Sequence, residues 1–250
     1  ELHTATQVHG SDGLGDLGLR GNGEAWWRPE LDVPPDLPSA LTVWQQGLRQ
    51  YPDSLTLITL GPLTNLAQAL QEAPALPSTF RRIICMGGAV AAPGNVTPVA
   101  EFNVFVDPHA ARRVFEAGLP LTLVPLDVTM RTTLSREAIQ SLTAEARSPV
   151  LRFLREATEP VILFTEQVQG RSVLELHDPL AVGVAIDPTL VTLHPLFVTV
   201  ETEGRVTRGM TVADRRGLRP PYKSPANAEV ALSVDIPRFL TLFQERLCRS

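Results

Sequence analysis

A chain of 250 residues, 44% hydrophobic and 20% charged, has the balance of an ordinary globular protein with enough material for a sizeable core. A net charge of −5 without any run of Lys or Arg argues against nucleic acid as a partner, and no stretch approaches the length that spans a bilayer. Two cysteines, Cys85 and Cys248, make neither a disulfide framework nor a metal-ligand spacing, so a cytoplasmic setting is expected.

The chain opens at Glu1 without an initiator Met or a convincing first strand, as if it began partway through a fold. Residues 9–23, HGSDGLGDLGLRGNG, are too rich in glycine for regular structure. Gly13, Gly15 and Gly18 have the spacing of a dinucleotide fingerprint, but a polar segment precedes them where that fingerprint needs a strand. An active-site loop is favoured over a nucleotide-dependent oxidoreductase. Residues 31–38 are a proline-rich linker, after which Ser39 caps a helix through about Gln50, with Leu41, Trp44 and Leu48 on one face. Ser54 to Leu60 is an unbroken β-run. Pro62 follows at a first helical position, and Leu63, Leu66, Ala67 and Leu70 form that helix's buried stripe.

The stretch from Ile84 to Asp107 organises the rest. A strand over Arg82–Met86 breaks at Gly87-Gly88, where bulky side chains would block the turn. A loop rich in Gly, Pro and Ala then carries Asn95, Glu101 and Asn103 into a second apolar run, Val104 to Val106, read as a strand. A carboxylate and an amide entering an apolar setting must find partners, either within the loop or from a ligand with several hydroxyls. Asp107-Pro108 opens a helix, and a strand over Leu121–Pro125 follows. From Ser135 to Gln169 the pattern is helical, with Leu142, Val150, Phe153 and Leu154 among its apolar positions. Asp178-Pro179 opens a helix over Leu180–Ile186, short β-runs lie at 190–193, 196–201 and 228–234, and Ile236–Leu247 closes the chain as an amphipathic helix.

Strands separated by helices of about ten residues imply an α/β fold, a mainly parallel sheet covered on both faces, here within a single domain over residues 1–250. Ligands of such sheets lie off the carboxyl ends of the strands. Leu60, Met86 and Pro125 end strands and so border one crevice.

HGSDGLG (9–15), TLGPLTNLA (59–67), MGG (86–88), GN…AEFNVFVDPHAA (94–111), LHDPLAV (176–182) and TVAD (211–214) together resemble the nucleoside hydrolase family, its inosine–uridine-preferring branch most closely. The resemblance runs along nearly the whole chain. It implies a Rossmann-like α/β fold and hydrolysis of the N-glycosidic bond of ribonucleosides with a bound Ca2+, by homo-dimers or homo-tetramers. It also implies individual roles. Asp178 and the Leu60 carbonyl match metal ligands, Asn95, Glu101 and Asn103 match contacts to ribose hydroxyls, and Met86 lies under the ribose. His177 matches the general acid to the leaving base, and His9 a second base-side histidine.

Other readings of the same residues stand beside these. Asp178 ahead of Pro179 has the grammar of a helix cap, as do Asp107 and Asp187. His177 is equally read as a satisfied structural residue, although imidazole in general suits proton delivery near neutrality. Asn95, Glu101 and Asn103 could serve only to stabilise their loop. The family's tyrosine from the helix before the HDP motif has no counterpart in 160–172, which leaves the preferred base open.

The chain departs from the family in one respect. No N-terminal strand ending in DxDxxxDD is present, and those aspartates supply most of the metal's carboxylates. Two expectations follow. A non-catalytic remnant or ribose-binding module becomes the alternative to an enzyme, and the parallel sheet should show a gap that strips cover from Ile58, Leu60, Ile84 and Met86.

Overall fold

The computed structural model describes residues 5–9, 20–21, 24–25, 37–144, 149–219 and 221–248. In chain order these form α1 (Thr6–His9), β1 (Arg20–Gly21), β2 (Glu24–Ala25), α2 (Ala40–Gln50), β3 (Thr56–Thr59), α3 (Thr64–Glu72), β4 (Arg82–Met86), α4 (Phe102–Val106), α5 (Pro108–Phe115), β5 (Leu121–Val124), α6 (Leu126–Thr129), β6 (Thr133–Ser135), α7 (Arg136–Thr143), α8 (Pro149–Gln169), β7 (Val173–Glu175), α9 (His177–Ile186), β8 (Val191–Leu196), β9 (Val198–Val200), β10 (Thr211–Ala213), β11 (Ala228–Val234) and α10 (Ile236–Cys248). A larger compact unit is built from Pro38–Thr132 and His177–Leu240, and a smaller one includes Thr133–Leu176. The glycine-rich loop expected at 9–23 and the linker at 31–38 lie largely outside the described residues.

The larger unit is a five-stranded sheet in the order β3-β4-β5-β11-β8. Its first four strands pair in parallel, and β8 runs antiparallel to β11. The period-two alternation of a strand sorts β4 between two layers. Ile83 and Cys85 join Leu63, Leu66, Val114 and Phe115 in the apolar core under α3 and α5, whereas α9 packs on β4 and β3. Helices on both faces of a mainly parallel sheet are the architecture the alternation of elements implies. The runs at 190–193 and 228–234 extend this sheet. The run at 196–201 instead supplies β9, which pairs with β10 as a separate two-stranded ribbon.

Among the described residues the expected loss of cover falls on the β3 side, where Ile58 is half-buried and Leu60 is 38% exposed, and not on β4. β4 bonds to β3 on one side and β5 on the other without interruption, and Ile84 and Met86 are 1% and 3% exposed. Among the described residues β3 is the edge strand, and all four of its residues are half-buried.

Local side-chain capping sets several helix starts. Ser39 accepts from the Thr42 amide ahead of α2, and Asp107 from the Ala110 amide ahead of α5. Asp187 accepts from the Thr189 amide ahead of a single 3-10 turn. Pro62 does not open a helix: α3 begins two residues later, at Thr64. The run Val104–Val106 is helical, not extended, because the Glu101 carboxylate takes the amides of Asn103 and Val104 and so supplies an N-cap.

In the smaller unit β6 and β7 pair antiparallel, Thr133 opposite Glu175 and Ser135 opposite Val173. Ser135 caps α7 through the Ala138 amide. Arg136, the first residue of α7, reaches α8 through Glu159 and, at 3.0 Å, Glu166. The helical reading of this segment holds, but its apolar face is turned. Leu151 and Ile162 are buried, whereas Val150 and Phe153 are 47% and 41% exposed.

Candidate active site

The site grows from the carboxyl end of β4. Gly88 takes φ +73°, a left-handed conformation, and a Cβ there would stand 2.7 Å from Thr211 Oγ1. Glycine is required at this position on both counts. The chain leaves the sheet here and runs over a loop that α6 holds from below. The Asp127 carboxylate accepts the amides of Val90, Ala91 and Ala92 at 2.8, 2.7 and 3.2 Å. At Gly94 a Cβ would meet the backbone of Thr97 and Ala100 at 2.3 Å, so the loop folds tightly on itself. Asn95 is exposed and its Oδ1 accepts the Phe102 amide at 2.9 Å, which carries the loop into α4.

Glu101 is only 2% exposed. Its Oε1 accepts the Asn103 amide at 2.8 Å, and its Oε2 accepts those of Gly88 at 2.8 Å and Val104 at 3.3 Å. Burial raises its carboxyl above the ordinary carboxylate value, against the pull of these amides and of the nearby His177. Asn103 is also buried. Its Nδ2 donates to the carbonyls of Leu60 at 3.3 Å and Met86 at 3.1 Å and lies 3.5 Å from Met86 Sδ. One amide thus ties together the ends of β3 and β4, the crevice border read from the strand ends.

His177 starts α9, so Asp178 falls inside the first turn rather than in the flanking cap position, and it is exposed. His177 Nδ1 lies 2.7 Å from Thr129 Oγ1. Thr129 closes α6 and is fully buried. In the larger unit the structure therefore gathers Leu60, Met86, Glu101, Asn103 and His177, with Asn95 on the loop above α4 and Asp178 beside His177. His9 ends α1 in the smaller unit, where it is exposed.

Asp127 and Thr129 escape sequence reasoning. LDVT after a strand end looks like any helix start, and no spacing separates a threonine that anchors a histidine from one in the core. The only available signal is that both follow the strand end Pro125, at the edge where ligands bind.

The resemblance implies Ca2+, which takes about six to eight oxygen ligands. Among the described residues no group of three His, Cys, Asp or Glu side chains could hold a metal ion. Asp178 and the Leu60 carbonyl offer at most three oxygens, and the carbonyl also accepts from Asn103. These residues alone do not make a Ca2+ site, and no step below is routed through one.

A buried carboxylate, a buried amide and a histidine thus converge at the strand ends of a parallel sheet, the edge at which ligands of such sheets bind. The description "Inosine-uridine preferring nucleoside hydrolase" matches residues 1–241, and the chain belongs to this family of ribonucleoside hydrolases. It is 36% identical over 248 residues to the pyrimidine-specific ribonucleoside hydrolase RihA of Shewanella woodyi, covering 99% of this chain and 75% of that one. The RihA of Citrobacter koseri is 34% identical over the same shares. Among solved structures, a purine-preferring ribonucleoside hydrolase from Gardnerella vaginalis superposes with a TM-score of 0.83 at 35% identity, over 97% of this chain and 72% of that one. A plant nucleoside hydrolase gives 0.84 at 29% identity, over 98% and 75%. The fold is that of the nucleoside hydrolases.

Proposed function

We propose that the chain hydrolyses the N-glycosidic bond of ribonucleosides to base and ribose, with His177 as general acid to the departing base. The reaction passes through an oxocarbenium-like ribose. Its electron pair leaves with the base, so a proton delivered to the base nitrogen lowers the barrier. Water adds at the anomeric carbon. Glu101, Asn103 and Asn95 hold the ribose hydroxyls, offering donors and acceptors together, and Met86 underlies the ring. The observation that carries this reading is the convergence of buried Glu101, buried Asn103 and His177 at the strand ends. Were Ca2+ bound, Asp178 and the Leu60 carbonyl would be the ligands these residues offer it, and the ion would supply an acidified water. We further propose one domain over residues 1–250, a cytoplasmic setting, and a homo-dimer or homo-tetramer.

A second reading, a ribose-binding module without turnover, is favoured by the lack of a metal-holding cluster among the described residues. The decisive experiment assays the protein with Ca2+ supplied. His177→Ala lowers inosine or uridine turnover by about 10²–10⁴-fold, the range for lost general acid–base help. Nitrophenyl riboside, whose leaving group needs no proton, is largely spared. Equal losses on both substrates overturn the proton-donor role, and no turnover by the unmutated protein favours the binding module.

A further inference from the structure

We infer that Thr129 is the positioning residue for His177: its hydroxyl holds the Nδ1 side of the imidazole so that the proton given to the leaving base departs from Nε2. This rests on the reading of His177 as general acid. The contact itself is independent of that reading. Thr129 Oγ1 stands 2.7 Å from His177 Nδ1, at the end of α6, with no exposed surface. A hydroxyl buried this completely needs a partner, and the imidazole supplies it.

The threonine itself is fixed from both sides. Its amide donates to the Pro125 carbonyl at 3.2 Å, and its own carbonyl accepts the Thr132 amide at 3.1 Å and the Thr132 hydroxyl at 2.9 Å. α6 is tied in turn to the site loop, through the Leu126 amide on the Gly88 carbonyl at 2.9 Å and through Asp127 on the amides of residues 90–92. The ring therefore takes its orientation from the same short helix that holds the loop carrying Asn95 and Glu101.

A hydroxyl suits this task better than a carboxylate. A hydroxyl can donate or accept; in the inferred arrangement it accepts from Nδ1–H in the charged ring and again in the neutral ring that remains once the Nε2 proton has left. It adds no full charge that would hold the imidazolium and oppose release of that proton. The step balances: the ring passes from cation to neutral Nδ1–H imidazole, the base nitrogen gains the proton, and the glycosidic electron pair goes with the base.

Two measurements test this. In the 250-residue protein, the ring-nitrogen NMR signals of neutral His177 should report the Nδ1–H tautomer, the minor one for free imidazole. Thr129→Val, which keeps shape and burial, should restore the Nε2–H form, and Thr129→Ser should retain Nδ1–H. An Nε2–H ring in the unmutated protein, or a Val variant with unchanged signals, overturns the inference. Assayed with Ca2+ supplied, Thr129→Val should lower kcat for uridine about 10–100-fold, the range seen when a group that orients a site residue is lost. KM and nitrophenyl riboside turnover should change little, and Thr129→Ser should stand near the unmutated rate. Equal loss on both substrates, or a Ser variant as poor as Val, also overturns it. If His177→Ala spares uridine turnover while the NMR result holds, the acid reading fails and the Thr129 anchor survives as a structural contact only.

Discussion

Cys85 shows how strongly one position can depart from the chemistry of its residue type. Its thiol is enclosed in the sheet, and burial pushes it from the ordinary 9.0 up to about 12, with the Thr59 hydroxyl opposing and the Glu101 charge adding to the rise. A thiol reagent at pH 8 should therefore titrate one cysteine per native chain, the exposed Cys248, and two after unfolding. Two reactive thiols in the native protein would show that β4 opens readily. Asp214 is shifted the other way. The Arg216 guanidinium donates to both of its oxygens at 2.9 Å and the Arg216 amide adds a third bond, drawing the carboxyl down to about 2. A native value below the unfolded 3.8 means a contribution present above pH 3.8 and lost as pH falls through about 2. Asp214→Asn should flatten acid unfolding in that window. Arg216 is exposed and Asp214 only half-buried, so high salt should shrink the difference. Of the residues gathered at the strand ends, Glu101 and Asn103 stood out in the sequence as polar groups amid apolar neighbours, and His177 stood out only through the family resemblance. Thr129 and Asp127 did not, because threonine and a helix-start aspartate are conspicuous nowhere.

At the level of elements, the turn after β4 is the most constrained. Gly88→Ala meets two separate penalties. The left-handed backbone costs a non-glycine residue about 1–2 kcal/mol, and the new methyl lands 2.7 Å from Thr211 Oγ1, an overpacking worth about 1–3 kcal/mol. Adding Thr211→Ala should recover the second part and leave the first, a coupling that denaturant titration of the four-member cycle measures. Strictly additive losses would mean that the turn relaxes away from β10. The same region shows where sequence periodicity stops being informative. Phe102–Val106 carries the apolar residues of a strand, yet a single carboxylate one position earlier supplies the cap that winds it into a helix. Short apolar runs take their form from such hydrogen bonds, which composition does not display. Longer elements were readable: α2, β4 and α5 lie where their caps and patterns place them.

For the whole molecule, the order of strands and helices carried the α/β class, because parallel neighbours require a crossover between them. It did not carry strand adjacency. The loss of cover expected at Ile84 and Met86 is not found, because β3 and β5 are the direct partners of β4, whereas Ile58 is half-buried and Leu60 exposed on the β3 side. The metal is also a property of the whole. With two candidate ligand residues, at most three oxygens, against about six to eight needed, calorimetry on the 250-residue chain should find no Ca2+ binding tighter than millimolar. A micromolar site would show that other residues of this chain complete it. The chain leaves the larger unit after Thr132 and re-enters it at His177. Just beyond those points β6 and β7 run side by side, and just inside them Thr129 meets His177. In polymer terms the excursion is a loop already cinched at its base, and each doubling of such a loop costs only about 0.6 kcal/mol. Insertions and deletions between Ser135 and Val173 should therefore accumulate cheaply, making this the stretch in which the chain can change length over evolutionary time while its sheet stays in register.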